Sequence, residues 1–243
     1  NQRLSIKSGK FKATVPCLDP LLMQDAQPDP MIAPLTNAFK DAVEAVGVLA
    51  SENAQHVVMA SILLKDGSVI ATNRKIIYEC WHGNSMPTLS VPKIFIKMLK
   101  GIKKNLVGFG FSNNSLTLWF ENEQWLKTQL YAEEWPDLNG ILDLPCNDWS
   151  VPPELWKAVA AIKNFSEDGW IFSKEGLLCS HDDKNLGASF ECSGVPNGIA
   201  LSIEQLELIK PWAERIDFMA PTPNGKCIKV FGSNSRCVIA HRI

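Results

Sequence analysis

The chain lacks any apolar run long enough to cross a bilayer, which would take about 18 consecutive apolar residues. It also lacks an excess of positive charge, because 24 Lys and Arg residues stand against 26 Asp and Glu residues, a formal net charge of −2. This balance excludes a polycation, so any contact with nucleic acid must come from a local basic face. From the missing apolar run we expect no membrane partner.

Motifs of familiar catalytic chemistries are missing as well, since the sequence contains no GxSxG, Walker A or GxGxxG segment. No histidine stands at zinc-ligand spacing from a second ligand; the four are His56, His82, His181 and His241. The best polar cluster, Cys179 to Asp183, is predicted to be a polar turn. We predict no catalytic residue, metal or cofactor. A hydrolase with an unrecognised site is an alternative, which turnover dependent on His181 would support.

The cysteines do not form a recognisable framework, because their number is odd and no CxxC pair occurs. The seven are Cys17, Cys80, Cys146, Cys179, Cys192, Cys227 and Cys237. Scattered cysteines of this kind are typical of free thiols in a reducing compartment.

The sequence does contain a pattern that recurs four times: an apolar helical stretch, a strand, a Gly- or Asn-containing turn, and two more strands. The four copies begin near Pro34, Val91, Val151 and Leu201. In the first copy we expect a strand from Val57 to Leu64. Because one helix covers only one sheet face, two units should share one core. This predicts an α+β fold of tandem domains, each made of two helix-plus-sheet repeats.

The repeats divide the chain into domains. Units one and two give a domain at 31–144, and units three and four give another at 145–243. Residues 1–30 hold a predicted hairpin, Arg3 to Pro16, and a proline-rich linker. The hairpin resembles the closing strands of the other units. We therefore expect 1–30 to be the end of an incomplete first domain.

The helix of the second unit carries four lysines at spacings of four, three and four, so they share a helix face. They are Lys93, Lys97, Lys100 and Lys104. The apolar residues expected to face the core are Ile94, Phe95, Met98, Leu99 and Ile102. From the pattern alone, a solvated face and a phosphate-binding face are both open. In the fourth unit, Ser202 and Gln205 predict a capping box at a helix start.

Six segments match, in order, segments of one known family. Three of them lie in the first half of the chain. The segment SGKFKATVP (8–16) matches SGRxRFxLxTLP of the family, and VIATNRKIIYE (69–79) matches ATDGHRLA. The segment VPKIFIKMLKGI (91–102) matches a family helix that begins with Val-Pro. The segment SNNSL (112–116) matches the turn that follows this helix in the family. AEEWPDLNGIL (132–142) matches the family segment FPDYRRVLP, and RCVIAHRI (236–243) matches VVMPMRL. Together they resemble the bacterial DNA polymerase III beta subunit, the DNA sliding clamp.

This resemblance implies a divergent clamp, of bacterial or phage origin, that lacks most of its first domain. It implies a cytoplasmic, non-enzymatic processivity factor that encircles double-stranded DNA without sequence preference and holds the polymerase and clamp loader through short linear peptides. It further implies a head-to-tail ring, expected to be a dimer, although the repeat alone leaves a trimer open. In the family, the first domain forms one side of the ring interface. We therefore expect this fragment to close a ring poorly.

The resemblance also carries over site residues. The lysine face would line the DNA hole. A partner-peptide pocket would lie between the middle and last domains, lined by Met59, Thr72, Ile77, Pro136, Ile141, Cys237, Val238, Ala240, His241 and Arg242. Asn73-Arg74-Lys75 replaces Asp-Gly-His of the family, so the preferred peptide should differ.

The tryptophans keep a second hypothesis open, namely a single-stranded or structural DNA-binding module that forms no ring. Aromatic rings can stack on unpaired bases. The eight are spread over the units: Trp81, Trp119, Trp125, Trp135, Trp149, Trp156, Trp170 and Trp212. A clamp would stay on circular duplex DNA and slide off linear ends, which separates the two hypotheses.

Overall fold

The computed structural model of the chain describes residues 3–16, 26–52 and 54–240. Helices and strands follow the predicted fourfold repeat, and the α+β class is confirmed. Among the described residues, no helix is long and apolar enough to span a membrane.

The N-terminal segment forms the predicted antiparallel hairpin of β1 (Arg3–Ser8) and β2 (Phe11–Pro16). Gly9 supplies the positive φ of its turn. The apolar side chains of Leu4, Ile6 and Phe11 are exposed. The assignment of 1–30 to an incomplete domain stays a prediction.

The first two units make up the middle part of the chain. The first has β3 (Ala33–Pro34), α1 (Asn37–Val46), α2 (Val57–Ala60), β4 (Ser61–Lys65), β5 (Ser68–Thr72) and β6 (Ile76–Trp81). The second has β7 (Leu89–Pro92), α3 (Lys93–Gly101), β8 (Leu106–Phe111), β9 (Ser115–Phe120), β10 (Trp125–Gln129) and a short α4 (Asn139–Leu142). The predicted strand from Val57 to Leu64 is wrong over its first four residues. They form one helical turn, stabilised by the Ser61 hydroxyl, which donates to the carbonyl of Val57 at 2.7 Å.

The last two units repeat the plan. The third has α5 (Leu155–Ile162), β11 (Trp170–Lys174), β12 (Leu177–Cys179) and β13 (Ser189–Glu191). The fourth has β14 (Ala200–Ser202), α6 (Ile203–Ile209), β15 (Arg215–Thr222), β16 (Gly225–Phe231) and β17 (Ser235–Ala240). Helix α6 starts after Ser202 as predicted, but the Ser202 side chain makes no capping hydrogen bond. Ser202 is instead the last residue of β14, where it pairs with Trp170, and Gln205 is buried.

In each pair of units, the first strand of one unit forms hydrogen bonds with the sheet of the other unit. Strand β3 pairs with β8 of the second unit, and β7 pairs with β4 of the first. In the second pair, β14 pairs with β11, and an isolated bridge joins Ser150 to Arg215 of β15. This exchange explains how two units share one core, since neither sheet is complete without a strand from the other.

A seven-stranded antiparallel sheet joins the two halves, in the order β15-β16-β17-β6-β5-β4-β7. Strand β17 of the fourth unit pairs with β6 of the first over five residue pairs, from Ser235↔Cys80 to Ile239↔Ile76. Helix α1 packs on one face of this sheet, together with α3. We call this the helix face, and the opposite face, against which α4 packs, the outer face.

The segment that connects the halves is fastened to the outer face by buried charges. Lys229, only 2% exposed, donates from its ammonium to the carbonyls of Leu142, at 2.9 Å, and Leu144. The buried carboxylate of Asp217 accepts from the backbone N–H of Asn147 at 2.7 Å. The connection therefore follows one path over the sheet.

Arg236 adds a link across the strand pair that joins the halves. Its Nε donates to Oε2 of Glu79 at 2.6 Å, and its Nη1 donates to Asp143 at 2.7 Å. Glu79 is only 3% exposed, and its other oxygen accepts from the Ser68 hydroxyl at 2.7 Å. Burial disfavours the charge of Arg236, but the hydrogen bonds to Asp143 and Glu79 outweigh it and raise the pKa of the guanidinium.

Candidate partner groove and DNA-facing surface

Cross-strand pairing places side chains from both halves in one row on the outer face. Thr72 pairs with Ile77, Ile77 with Val238, and Val238 with Lys229. Directly opposite residues of antiparallel strands point to the same face of a sheet. The row therefore crosses the boundary between the halves where Ile77 meets Val238.

A groove of about 410 Å³ lies over this boundary. Its apolar lining consists of Ile77, Ile141, Leu144, Cys227, Val238 and Ala240, and the other lining residues are Arg74, Lys75, Thr222, Pro223, Asn224 and Lys226. The backbone N–H of Ala240 donates to the carbonyl of Lys75 at 2.7 Å, so the end of β17 is tied to the β5–β6 turn. The groove thus has a wall from each half of the chain.

The groove is apolar because α4 covers a second, smaller core on the outer face. Leu138 and Leu142 at the ends of this turn are buried against the sheet, whereas Ile141 stays 41% exposed and can contact a ligand. Burial raises the pKa of the Cys227 thiol to about 11, so this side chain is neutral at physiological pH.

The structure brings four of the residues predicted for the pocket into this groove: Ile77, Ile141, Val238 and Ala240. His241 and Arg242 lie outside the described residues. The remaining four, Met59, Thr72, Pro136 and Cys237, do not line it.

Strand alternation explains why Cys237 is elsewhere. It is the neighbour of Val238 on β17, so it points to the helix face and is buried in the main core. That burial raises the pKa of its thiol. Thr72 does point to the outer face, but it is buried and donates its hydroxyl to the carbonyl of Ile76 at 2.7 Å. Thr72 therefore supports the turn beside the groove.

The other two residues are separated from the groove in space. Met59 lies in the one-turn helix α2, before β4. Pro136 lines a second outer-face cavity of about 500 Å³, on the far side of α4, together with Lys65 and Trp135. The tryptophan Nε1 donates to the Ser90 hydroxyl at 3.2 Å, which fixes the segment before α4 against β7.

The rim of the groove carries three cationic residues that were not among the predicted lining residues: Arg74, Lys75 and Lys226. Arg74 and Lys75 occupy positions where the sequence differs from the family pattern. This difference could have predicted a positive charge beside the groove. Lys226 comes into place because its neighbour Cys227 pairs with Ala240, a register that local patterns do not reveal.

A further hollow of about 510 Å³ adjoins the boundary between the halves. Lys75 lines both this hollow and the groove. Its other lining residues are Val48, Leu49, Asn73, Ile76, Ser202, Glu204, Gln205 and Leu208. The β5–β6 turn therefore separates two concave surfaces at the same boundary.

The predicted lysine face is only partly free. Lys100 and Lys104 are exposed, the latter beyond the end of α3 at Gly101. Lys97 forms a 2.6 Å ion pair with Glu52. Lys93 is half-buried and donates to the carbonyl of Gly47, and burial, followed by the neighbouring Lys100, lowers its pKa.

The apolar stripe of α3 differs from the prediction. The buried residues are Phe95, Ile96 and Leu99, whereas Ile94 and Met98 are 52% and 53% exposed. The helix is thus rotated so that two predicted core residues lie on the lysine side. The exposed surface of α3 is therefore amphipathic rather than uniformly basic.

The helices of the C-terminal half carry mixed charges. Lys157 pairs with Glu154 at 3.2 Å, and Lys163 pairs with Glu207 of α6 at 3.0 Å. Among the described helices, surplus positive charge is therefore concentrated on α3 and the residues that follow it.

Other candidate chemistry finds little support in the described part of the chain. There, no group of three His, Cys, Asp or Glu side chains could hold a metal ion, and the six described cysteines are free thiols. His181 Nδ1 accepts from the backbone N–H of Asp183 at 2.9 Å, as in a polar turn. The exposed tryptophans, Trp81, Trp125 and Trp149, lie on separate elements, which does not favour a base-stacking track.

Paired helix-plus-sheet units, joined edge to edge by β17 and β6 with helices on one face, define the DNA clamp fold. Solved structures confirm this over the whole chain. It is similar to the DNA polymerase III subunit beta of Pseudomonas aeruginosa bound to griselimycin, with a TM-score of 0.71, 14% identity, and coverage of 100% of this chain and 74% of that one.

Two other clamps give the same result. The C. crescentus beta sliding clamp has a TM-score of 0.74 and 13% identity, with 99% of this chain and 74% of that chain covered. The Helicobacter pylori beta clamp bound to a DNA ligase peptide has a TM-score of 0.72 and 13% identity, with 100% and 74% covered. No protein-family model and no curated protein sequence matches the chain. The fold is therefore that of the DNA polymerase III beta sliding clamps.

Proposed function

We propose that this protein is a DNA polymerase processivity factor, a non-catalytic sliding clamp that acts on DNA in the cytoplasm of a bacterial or phage-infected cell. The observation that carries the proposal is the groove at the boundary between the two halves, on the sheet face opposite α1 and α3. A clamp needs its partner site and its DNA-binding surface on opposite faces, because it must hold DNA and a partner protein at the same time.

The DNA-facing side suits binding without sequence preference. Phosphate attraction supplies such binding, and it scales with the number of lysines that reach the backbone. Here Lys100 and Lys104 are exposed, whereas Lys97 shares its charge with Glu52. A small surplus of charge holds the duplex weakly, which allows the protein to slide.

The groove suits a short peptide because it combines an apolar floor with a few polar groups at its rim. The H. pylori clamp is bound to a DNA ligase peptide, and the P. aeruginosa clamp is bound to griselimycin. We propose that DNA polymerase and clamp loader bind here through comparable segments.

Ring closure would use the same kind of strand pairing that joins the two halves. Strand β13 is outermost in its sheet among the described residues, so the C-terminal half offers an unpaired edge to a neighbouring subunit. We propose that 31–144 and 145–243 are the middle and C-terminal clamp domains, and that subunits associate head to tail into a ring, as a dimer.

Replacing Ile141 with aspartate should abolish partner binding without unfolding the protein. Ile141 lines the groove but is 41% exposed, so a charge there is solvated until a ligand buries it. We expect the affinity for griselimycin and for the H. pylori ligase peptide to fall by about 100-fold or more, measured by isothermal titration calorimetry.

The matched control is Val107→Asp, which places the same charge on β8 at a residue with similar exposure, 40%. This variant should bind both ligands like the wild type. Equal affinity of the Ile141→Asp variant and the wild type would contradict the assignment of the groove.

A further inference from the structure

We infer that the groove selects partner segments that carry carboxylates beside their apolar residues, and that Arg74, Lys75 and Lys226 impose this preference. The inference rests on the proposed function of the groove as a peptide site, and it adds the chemical class of the peptide.

The first support is the sign of the charge around the groove. Three cationic side chains line it, and no Asp or Glu does. Within residues 3–16, 26–52 and 54–240, none of the three has an ion-pair partner, and all three are exposed. Because the whole chain has a net charge of −2, this is a local concentration. Unpaired cations beside an apolar floor are available to a ligand carboxylate.

The second support is the backbone of Arg74. Its φ is +71°, a left-handed conformation that non-glycine residues other than Asn, Asp and His seldom adopt. The surrounding turn holds it there: the Arg74 N–H donates to Thr72 Oγ1 at 3.3 Å, and Asn73 Oδ1 accepts from the N–H of Ile76 at 2.9 Å. Strain of this kind persists where neighbours fix it, and it clusters at binding sites. Glycine would make the same turn without strain, but it would provide no guanidinium.

The third support is the contrast with the other cavity on the outer face. The cavity beyond α4 also has an apolar floor, including Leu63 and Ile70, but its exposed charges include Glu133, Glu134 and Asp137. Charge is therefore segregated across one sheet face, positive at the groove and negative beyond α4. An acidic segment is attracted to the groove and repelled from the second cavity, which favours one placement over the other.

The test is a selection from a random dodecapeptide display library against the full chain at 50 mM NaCl. Peptides that also bind an Ile141→Asn variant are discarded, which leaves those that need the apolar groove; asparagine adds no charge, so this step does not itself favour acidic peptides. We expect the remaining peptides to have a net negative charge. Reversing the rim with Arg74→Glu, Lys75→Glu and Lys226→Glu should weaken them by about tenfold, because it replaces attraction with repulsion. The matched control, Glu133→Lys with Glu134→Lys at the second cavity, should leave their affinity unchanged.

Each of the other possible outcomes of this experiment would contradict a particular part of the inference or of the proposed function. Groove-dependent peptides that are neutral or basic would overturn the inference and leave the groove as a peptide site. Acidic peptides that bind the variant with the reversed rim as tightly as the wild type would overturn the role of the three cations. No groove-dependent peptide at all would contradict the proposed function and, with it, the inference. A reversed rim that lowers duplex DNA binding without affecting the peptides would make the rim a phosphate surface.

Discussion

Replacing Lys97, Lys100 and Lys104 with alanine is expected to weaken duplex DNA binding roughly 60-fold at 0.1 M salt, if the variant and the wild type bind equally at 1 M salt. Each phosphate contact contributes about 0.9 to the slope of log affinity against log salt, and Lys97 shares its charge with Glu52, so the loss of about two full contacts lowers the slope by about 1.8. Lys93 is left in place because it is half-buried and donates to the carbonyl of Gly47. Fluorescence anisotropy with a labelled duplex, titrated at several salt concentrations, measures both quantities.

The control for this experiment removes the same charge from the outer face, with Lys65→Ala, Lys75→Ala and Lys226→Ala. These lysines line outer-face cavities, whereas α3 packs with α1 on the helix face, so DNA binding should change little. If the two triple variants lose affinity equally, DNA does not bind preferentially along α3.

Replacing Arg236 with methionine should lower the free energy of unfolding by about 3 kcal/mol, since breaking a buried ion pair leaves its partner charge uncompensated. Glu79 would keep only the hydrogen bond from Ser68, at 3% exposure. Asp143 would lose its contact with β17. For a chain of this size, the thermal midpoint should fall by roughly 6–12 °C, as calorimetry would measure.

Two further variants identify the cause of this loss. Adding Glu79→Leu to Arg236→Met should restore most of the stability, because no buried charge is then unpaired. Lys157→Met removes an exposed ion pair with Glu154 and should cost about 0.5 kcal/mol or less. An Arg236→Met variant as stable as Lys157→Met would show that the Glu79 pair does not hold the two halves together.

The elements of the repeat could be predicted from the sequence because helix and strand periodicities are local. Errors arose where a local signal was ambiguous. Val57–Ala60 is rich in β-branched residues and apolar residues, but the Ser61 hydroxyl stabilises a helical turn there. On α3, the rotation that exposes Ile94 and Met98 depends on packing against α1, which the pattern alone does not specify.

The groove could be predicted only in part, because strand register decides its lining. The resemblance pointed to segments that the structure brings to the groove, and Ile77, Val238 and Ala240 line it. It could not assign faces, so Cys237 was included although it points to the opposite side of β17. The exchange of leading strands and the pairing of β17 with β6 are long-range contacts, which no local pattern encodes.

The measurement that tests the central claim most directly is the lifetime of the native protein on circular and linear duplex DNA. The protein is loaded by its clamp loader onto a nicked plasmid, washed in 0.5 M NaCl, and followed before and after the plasmid is cut once. A topologically linked ring should survive the wash on circles and leave within minutes of cutting, because screening removes phosphate attraction but not encirclement. Equal lifetimes on circles and linear DNA would contradict the account of this protein as a sliding clamp.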